Sequence, residues 1–234
     1  EVPYEDLGVP SVATNYAAAS VKPVVVDEDD VGELTRISDG FYEKLEPNTD
    51  TVFRQDNFEL HGSPVGGPDH ADALRSYRTL EEYEGVVPEP KPESGSADGV
   101  VDGWVHEIFF VEMPKYVPGL IDLYESEGGT VETRELTKDR IGALPGDVVV
   151  NCTGYGNIFE DDAVVAKRGH LLEVETDGRL TDRDGERFSY SYYPEADDTE
   201  TGGFVYAYPR RDCLLLGGSE QVGKDVGGEW VGGS

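Results

Sequence analysis

PGDVVVNCTGYGNIFEDDAVVAKRGHLLEV, from Pro145 to Val174, is the stretch on which the reading of the fold turns. Asp147 to Asn151 reads as a short strand around consecutive β-branched valines, the pattern of a strand covered on both faces in a parallel sheet. It passes directly into Cys152, Thr153, Gly154, Tyr155 and Gly156. Small residues at the carboxyl end of such a strand let a ligand's phosphate or backbone come close, which is where open α/β sheets hold their cofactors. A second apolar strand, Leu171 to Val174, follows the Arg168-Gly169 pair.

Outward from there, Phe204 to Leu216 reads as one strand whose alternation puts Phe204, Tyr206 and Tyr208 on a single face. Val52 to His61, Gly103 to Val111 and Thr130 to Leu136 also read as strands. Tyr190, Tyr192 and Tyr193 are sheet residues, and the lone His106 is a packed or solvated side chain rather than a catalytic one. Between Asp27 and Leu45, Val31, Leu34, Ile37, Phe41 and Leu45 recur as one helical face. Asp72 to Tyr83 suggests a short surface helix. Met113 starts another, with Pro114 in its first turn, where a missing N–H costs nothing. Val117, Leu120, Ile121 and Tyr124 form its expected buried face, and Gly128-Gly129 its end. Thr137 to Leu144 is a short helical connection. Pro88 to Gly103 is an exposed loop rich in proline and serine. Ala17, Ala18, Ala19 and Ser20 form a small-residue segment closed by Pro23, for which a helix start or core packing is the plain alternative.

The charge bounds the partners. Forty-nine acidic against 19 basic residues give a formal net charge of -30, which disfavours nucleic acid and anionic membranes. Such charge often accompanies disorder, but 10% aromatic content and clear apolar runs indicate a folded core under an acidic shell. A salt-adapted cytoplasmic protein is expected. Cys152 and Cys213 are the only cysteines, so neither a disulfide framework nor a metal site is implied. No apolar run approaches the roughly 18 to 20 residues that span a bilayer.

VVNCTG followed by an acidic excursion and RGHLLEV resembles the D-amino-acid oxidase family of FAD-dependent oxidoreductases. YAYPRRDCLLLGGSEQVGKDVGGEW, from Tyr206 to Trp230, is similar to that family's tyrosine-bearing strand and LGG turn. TNYAAASVKP, from Thr14 to Pro23, is similar to its flavin loop, with Ala19 standing where the family usually has glycine. The resemblance implies an α/β (α+β mixed) fold, a partial FAD-binding Rossmann-like layer intergrown with a mixed-sheet substrate-binding domain. The FAD-binding parts would be 1–50 and 112–170, and the substrate-domain parts 51–111 and 171–230. No G-x-G-x-x-G is present, and an internal piece of a longer polypeptide is expected.

On the same resemblance, Thr14, Asn15, Ala17, Ala18, Ala19, Ser20, Leu136, Cys152, Thr153, Gly154 and Arg168 lie beside FAD. Tyr206 acts on the substrate carboxylate as the catalytic tyrosine. Lys22 stands in the substrate pocket, although a solvated lysine is the plainer reading, and Arg210 and Arg211 are expected to be exposed. A second tyrosine of some members would fall on Gly202. The implied partners are an amino-acid substrate and oxygen, with homodimerisation open. The implied reaction is oxidation of D-amino acids to 2-oxo acids, ammonia and hydrogen peroxide. A related amine oxidase acting on glycine, sarcosine or D-aspartate is the alternative, and a non-catalytic binding module is a different class of answer.

Overall fold

The computed structural model describes residues 13–17, 19–22, 28–88, 99–134, 136–152, 166–175, 180–181, 185–194, 204–211, 213–226 and 229–232. Strand β1 (Val52–His61) is its centre. It pairs antiparallel with β3 (Asp102–Val111) along its whole length. On its other side it pairs parallel with β6 (Phe188–Tyr193). The remaining strands are β2 (Arg75–Thr79), β5 (Leu172–Glu175), β7 (Val205–Pro209) and β8 (Cys213–Gly217). They complete a seven-stranded sheet in the order β2-β3-β1-β6-β7-β8-β5. Helices α1 (Glu28–Leu45) and α2 (Met113–Ser126) pack beside it. Strands β4 (Ala166–Arg168), β9 (Gln221–Val226) and β10 (Glu229–Gly232) form a separate three-stranded sheet. The fold is α+β with a mixed sheet.

Alternation along β1 explains the two unlike faces of the main sheet. Phe58 and Leu60 point to one side, where Val105 and Tyr192 complete a buried apolar cluster. Towards the other end of that side, Val52, Phe109 and Val111 are covered by Tyr42 and Leu45 of α1, Met113 and Tyr116 of α2, and by Ala19 and Val21. The opposite face carries Phe53, Gln55, Asn57, Glu59 and His61, register partners of Phe110, Ile108, His106, Trp104 and Asp102. Four of these odd-numbered and facing groups, Gln55, Asn57, Glu59 and His106, are buried although polar. That is the unusual face of the molecule.

Several expectations need correction. Val148 and Val150 are 79% and 76% exposed, and Asp147–Asn151 forms no strand. A β-branched run becomes a strand only with a ladder partner, and among the described residues none lies beside it. The described residues of Thr130–Leu136 form no strand for the same reason. Asp72–Tyr83 is not a helix: a 3₁₀ turn at Ala71–Ala73 leads into β2, which pairs with β3 at Glu107, Val105 and Trp104. Phe204–Leu216 is a hairpin of two strands, with the Arg210 N–H donating to the Cys213 carbonyl at 2.9 Å. Helix α2 has no buried residue, and Leu120 and Tyr124 are exposed. In α1 the expected apolar row is turned outward at Ile37 and Phe41, 59% and 56% exposed. The inward side carries Tyr42 and Leu45, and Asp39, which binds Arg75.

Candidate functional site

The buried polar face gathers a connected network. The Lys22 ammonium lies 2.7 Å from Glu59 Oε1, with side-chain exposures of 25% and 7%. The same oxygen accepts a hydrogen bond from Asn57 Nδ2 at 2.9 Å. Asn57 Oδ1 in turn accepts from the Ser189 hydroxyl at 2.8 Å. The Tyr193 hydroxyl stands near the Glu59 carboxylate and favours its ionised form. Two strands, β1 and β6, and one extended segment thus converge on one carboxylate. Lys22 is brought there by β-pairing at the sheet edge, where Val21 N–H donates to the Phe109 carbonyl and Val111 N–H to that of Ala19.

The electrostatics follow from that convergence. Burial opposes the Lys22 charge, but Glu59, with the Tyr208 and Tyr193 hydroxyls, outweighs it and holds the ammonium above the ordinary lysine value. Burial likewise opposes ionisation of Glu59, and Lys22 reverses it, assisted by His106 and the Tyr193 hydroxyl. Burial pushes His106 below the usual histidine range against the pull of Glu59. Burial and the neighbouring carboxylate both push the Tyr193 phenol up. At neutral pH this network therefore pairs the Lys22 cation with the Glu59 anion beside a neutral His106 imidazole and Tyr193 phenol. Buried ion pairs give little net stability, so their presence in a cleft marks a functional candidate.

A cavity of about 240 Å³ opens beside this network, walled by Lys22, Glu59, Trp104, His106 and Tyr193 and by Thr35, Asp39, His70 and Arg75 opposite. A row of aromatic rings continues from it. His61 stacks on Tyr193 at 4.8 Å, Tyr193 on Phe204 at 5.3 Å, and Tyr206 on Tyr208 at 4.5 Å. Tyr206 is half-buried in that row, and its phenol is pushed up by burial and by Tyr208. The Ser191 and Tyr208 hydroxyls share a hydrogen bond of 2.8 Å.

The expected site residues divide accordingly. Tyr206 and Lys22 come to one face, with Tyr208 stacked on Tyr206 and near enough to Lys22 to act on its charge, and Lys22 is not the solvated residue its sequence context suggests. Thr14 and Asn15 lie in a 3₁₀ turn, Ala13–Tyr16, and Thr14 and Ala17 are exposed. Ala19 has a left-handed backbone, φ 55°, and Ser20 bridges to Phe110 of β3. Arg168 is exposed in the second sheet, Cys152 is exposed in a coil, and Leu136 is half-buried in another coil. No hydrogen bond among the described residues joins those three to the Lys22 face. Ala18, Thr153, Gly154 and Gly202 lie outside the described residues. Arg210, expected to be exposed, is buried and donates from its guanidinium to the Ala17 carbonyl.

Sequence reasoning missed Glu59, Asn57, Tyr193 and the part played by Tyr208. The available signal was polar residues on the odd-numbered side of β1, where Gln55, Asn57 and Glu59 interrupt a strand buried on both faces. Gln55 remains buried with neither amide atom partnered among the described residues.

No protein-family profile matches the chain. It is 27% identical over 219 residues to a D-amino-acid oxidase of Dictyostelium discoideum, covering 91% of this chain and 56% of that protein. It is 33% identical over 167 residues to a D-amino-acid oxidase of Rubrobacter xylanophilus, covering 70% and 44%. A D-amino-acid oxidase of Streptomyces coelicolor is 33% identical over 113 residues, covering 47% and 31%. The chain spans about half the length of the first two of these curated relatives.

Proposed function

This chain belongs to the D-amino-acid oxidase family, and on that premise we propose that it serves an FAD-dependent oxidation of D-amino acids to 2-oxo acids, ammonia and hydrogen peroxide. The observation that carries the reading is the shared face. Tyr206 and Lys22, both expected to meet the substrate, lie on one side of the sheet, with Tyr208 stacked against the first and acting on the charge of the second. The Tyr206 hydroxyl donates to the substrate carboxylate, and the Lys22 ammonium adds a charge-assisted contact. The ring row excludes water and fixes the orientation of the α-carbon, which is the protein's share of such catalysis.

The flavin side rests on chain features that fit a flat, extended dinucleotide. Ala17, Ala19 and Ser20 are small, Ala19 turns its backbone to a positive φ, and the Gln55 amide offers an unpaired donor and acceptor on the adjoining sheet face. FAD, when bound, supplies the hydride acceptor and the route to oxygen. The reading assigns 1–50 and 112–170 to the cofactor side and 51–111 and 171–230 to the substrate side. The net charge of -30 favours a salt-rich cytoplasm as its medium.

The test is spectroscopic. The intact gene product in molar KCl is expected to show a flavin absorption that bleaches anaerobically with D-alanine and not with L-alanine. Tyr206→Phe is expected to raise KM about tenfold. A flavin-bearing protein inert to every D-amino acid tried would defeat the proposal.

A further inference from the structure

We infer that Glu59 is a positioning residue, which holds the Lys22 ammonium and the Tyr193 hydroxyl at the cavity wall so that Lys22 presents a fixed cation to an anionic group of the substrate. The inference rests on the proposed function and assigns it a residue that the family resemblance left unmarked. Glu59 lies at the centre of β1, its carboxylate 7% exposed and 2.7 Å from Lys22 Nζ. It occupies one of the three N–H donors of the ammonium, leaving the others for the cavity that Lys22 lines. Its own orientation is fixed by Asn57, which Ser189 anchors in turn. The arrangement therefore runs from β6 through β1 to the segment that carries Lys22.

The alternative reading, that the pair merely braces the sheet, is weak on physical grounds. A buried ion pair is often replaceable by apolar groups without loss of stability, whereas removing one partner strands the other. Stranding is also what makes the inference testable. Lys22 is faced by Glu59 from β1, Tyr193 from β6, Tyr208 from β7 and His106 from β3, with Asp39, His70, Arg75 and Glu107 across the cavity. Of the residues that directly support its charge, Glu59 is the carboxylate. Without it, burial is left to act on the ammonium, and Lys22 loses its proton at a lower pH than an exposed lysine does.

The experiment compares the intact flavoprotein with Glu59→Gln, Glu59→Asp and the double variant Lys22→Met/Glu59→Gln. Two readouts are followed from pH 7 to pH 10: KM and kcat for D-alanine, and the thermal unfolding midpoint. In the wild type Lys22 stays charged and neither readout shows an ionisation from it. In Glu59→Gln, KM is expected to rise roughly tenfold with pH while kcat changes less. The unfolding midpoint should rise relative to wild type as pH climbs towards the unfolded lysine value near 10.4, because the unfolded chain then binds the extra proton. Both effects should vanish in the double variant, and Glu59→Asp should restore most of the wild-type profile.

A Glu59→Gln protein whose KM keeps the wild-type pH profile overturns the inference, whether or not its unfolding curve changes. So does a pH effect that survives in the double variant. Failure of the function reading looks different: the wild type itself is then inert towards D-alanine, while the unfolding curves still report whether Glu59 holds the Lys22 charge.

Discussion

Arg210, at the turn between β7 and β8, donates a hydrogen bond from its guanidinium to the carbonyl of Ala17, 193 residues earlier in the chain. Its neighbour Arg211 donates a backbone N–H to the buried Glu112 carboxylate at 2.9 Å. One turn thus fastens the hairpin that bears Tyr206 both to the small-residue segment and to the start of α2. Arg210 is buried with its Nε unpartnered among the described residues, so desolvation offsets much of what its contact contributes. Arg210→Met is therefore expected to change global stability by less than about 1 kcal/mol. Amide exchange at Val21, whose N–H bonds Phe109, should accelerate at least tenfold. Hydrogen exchange on both proteins checks it, and an unaltered Val21 rate would show that the Ala17 contact holds nothing in place.

Glycines 217 and 218 distinguish a site effect from a backbone effect. A Cβ at Gly217 would lie 2.3 Å from the Tyr206 ring, a side chain that can swing away. A Cβ at Gly218 would lie 1.7 Å from the Phe204 carbonyl oxygen, at a φ of +135°. Gly218→Ala is expected to cost several kcal/mol, because backbone must separate and the residue is strained as well. Gly217→Ala should cost about 1 kcal/mol yet raise KM for a D-amino acid more than tenfold by displacing the tyrosine. Urea unfolding and steady-state kinetics on the pair separate the two mechanisms, and equal losses of stability would refute the distinction.

How far the chain alone disclosed these features depends on whether the information is local. Val52–His61 was legible as a strand because its residues favour that state individually and both of its neighbours exist. The valines at 148–150 favour it as strongly, yet stand exposed with no ladder among the described residues, since pairing is supplied by other parts of a molecule. Tyr206 was singled out only through a resemblance that carries its LGG turn along with it. Glu59 was not, because nothing near it in sequence announces a lysine 37 residues earlier as its partner. Arg210 looked exposed for a related reason: a turn rich in charged residues is usually wet, and the Ala17 contact draws this one inward.

Salt should stabilise this chain well beyond what a neutral protein gains. A net charge of -30 makes compaction self-repulsive, and the screening length falls from about 10 Å at 0.1 M to about 3 Å at 1 M. Raising KCl between those concentrations is expected to add about 3 kcal/mol, or on the order of 6–12 °C in Tm for a chain of this size. Sucrose at equal osmolarity acts by exclusion rather than screening and should give less than half the shift. Calorimetry in the two co-solutes decides, and equal shifts would remove the case for charge repulsion.

Asp102 predicts the shape of the acid limb. Its Oδ2 accepts N–H bonds from Val65 and Gly66 at 2.8 Å each, and Oδ1 accepts the Gly103 N–H at 2.8 Å. The Val65 and Gly66 donors hold the carboxyl below the ordinary aspartate value, against a smaller effect of burial. A carboxylate with a depressed folded pKa stabilises above its unfolded value, near 3.9, and the contribution disappears as pH falls through the folded value. Asp102→Asn keeps one acceptor oxygen and loses the charge, so at pH 7 it should be less stable by about 1 kcal/mol, allowing for solvent around the group. As pH falls through the folded value the difference should close, because the wild-type carboxyl is then protonated as well. Urea unfolding of both proteins at fixed salt between pH 2.5 and pH 7 measures the gap, and a constant difference across that range would mean that the turn at Val65–Gly66 is held by geometry and not by charge.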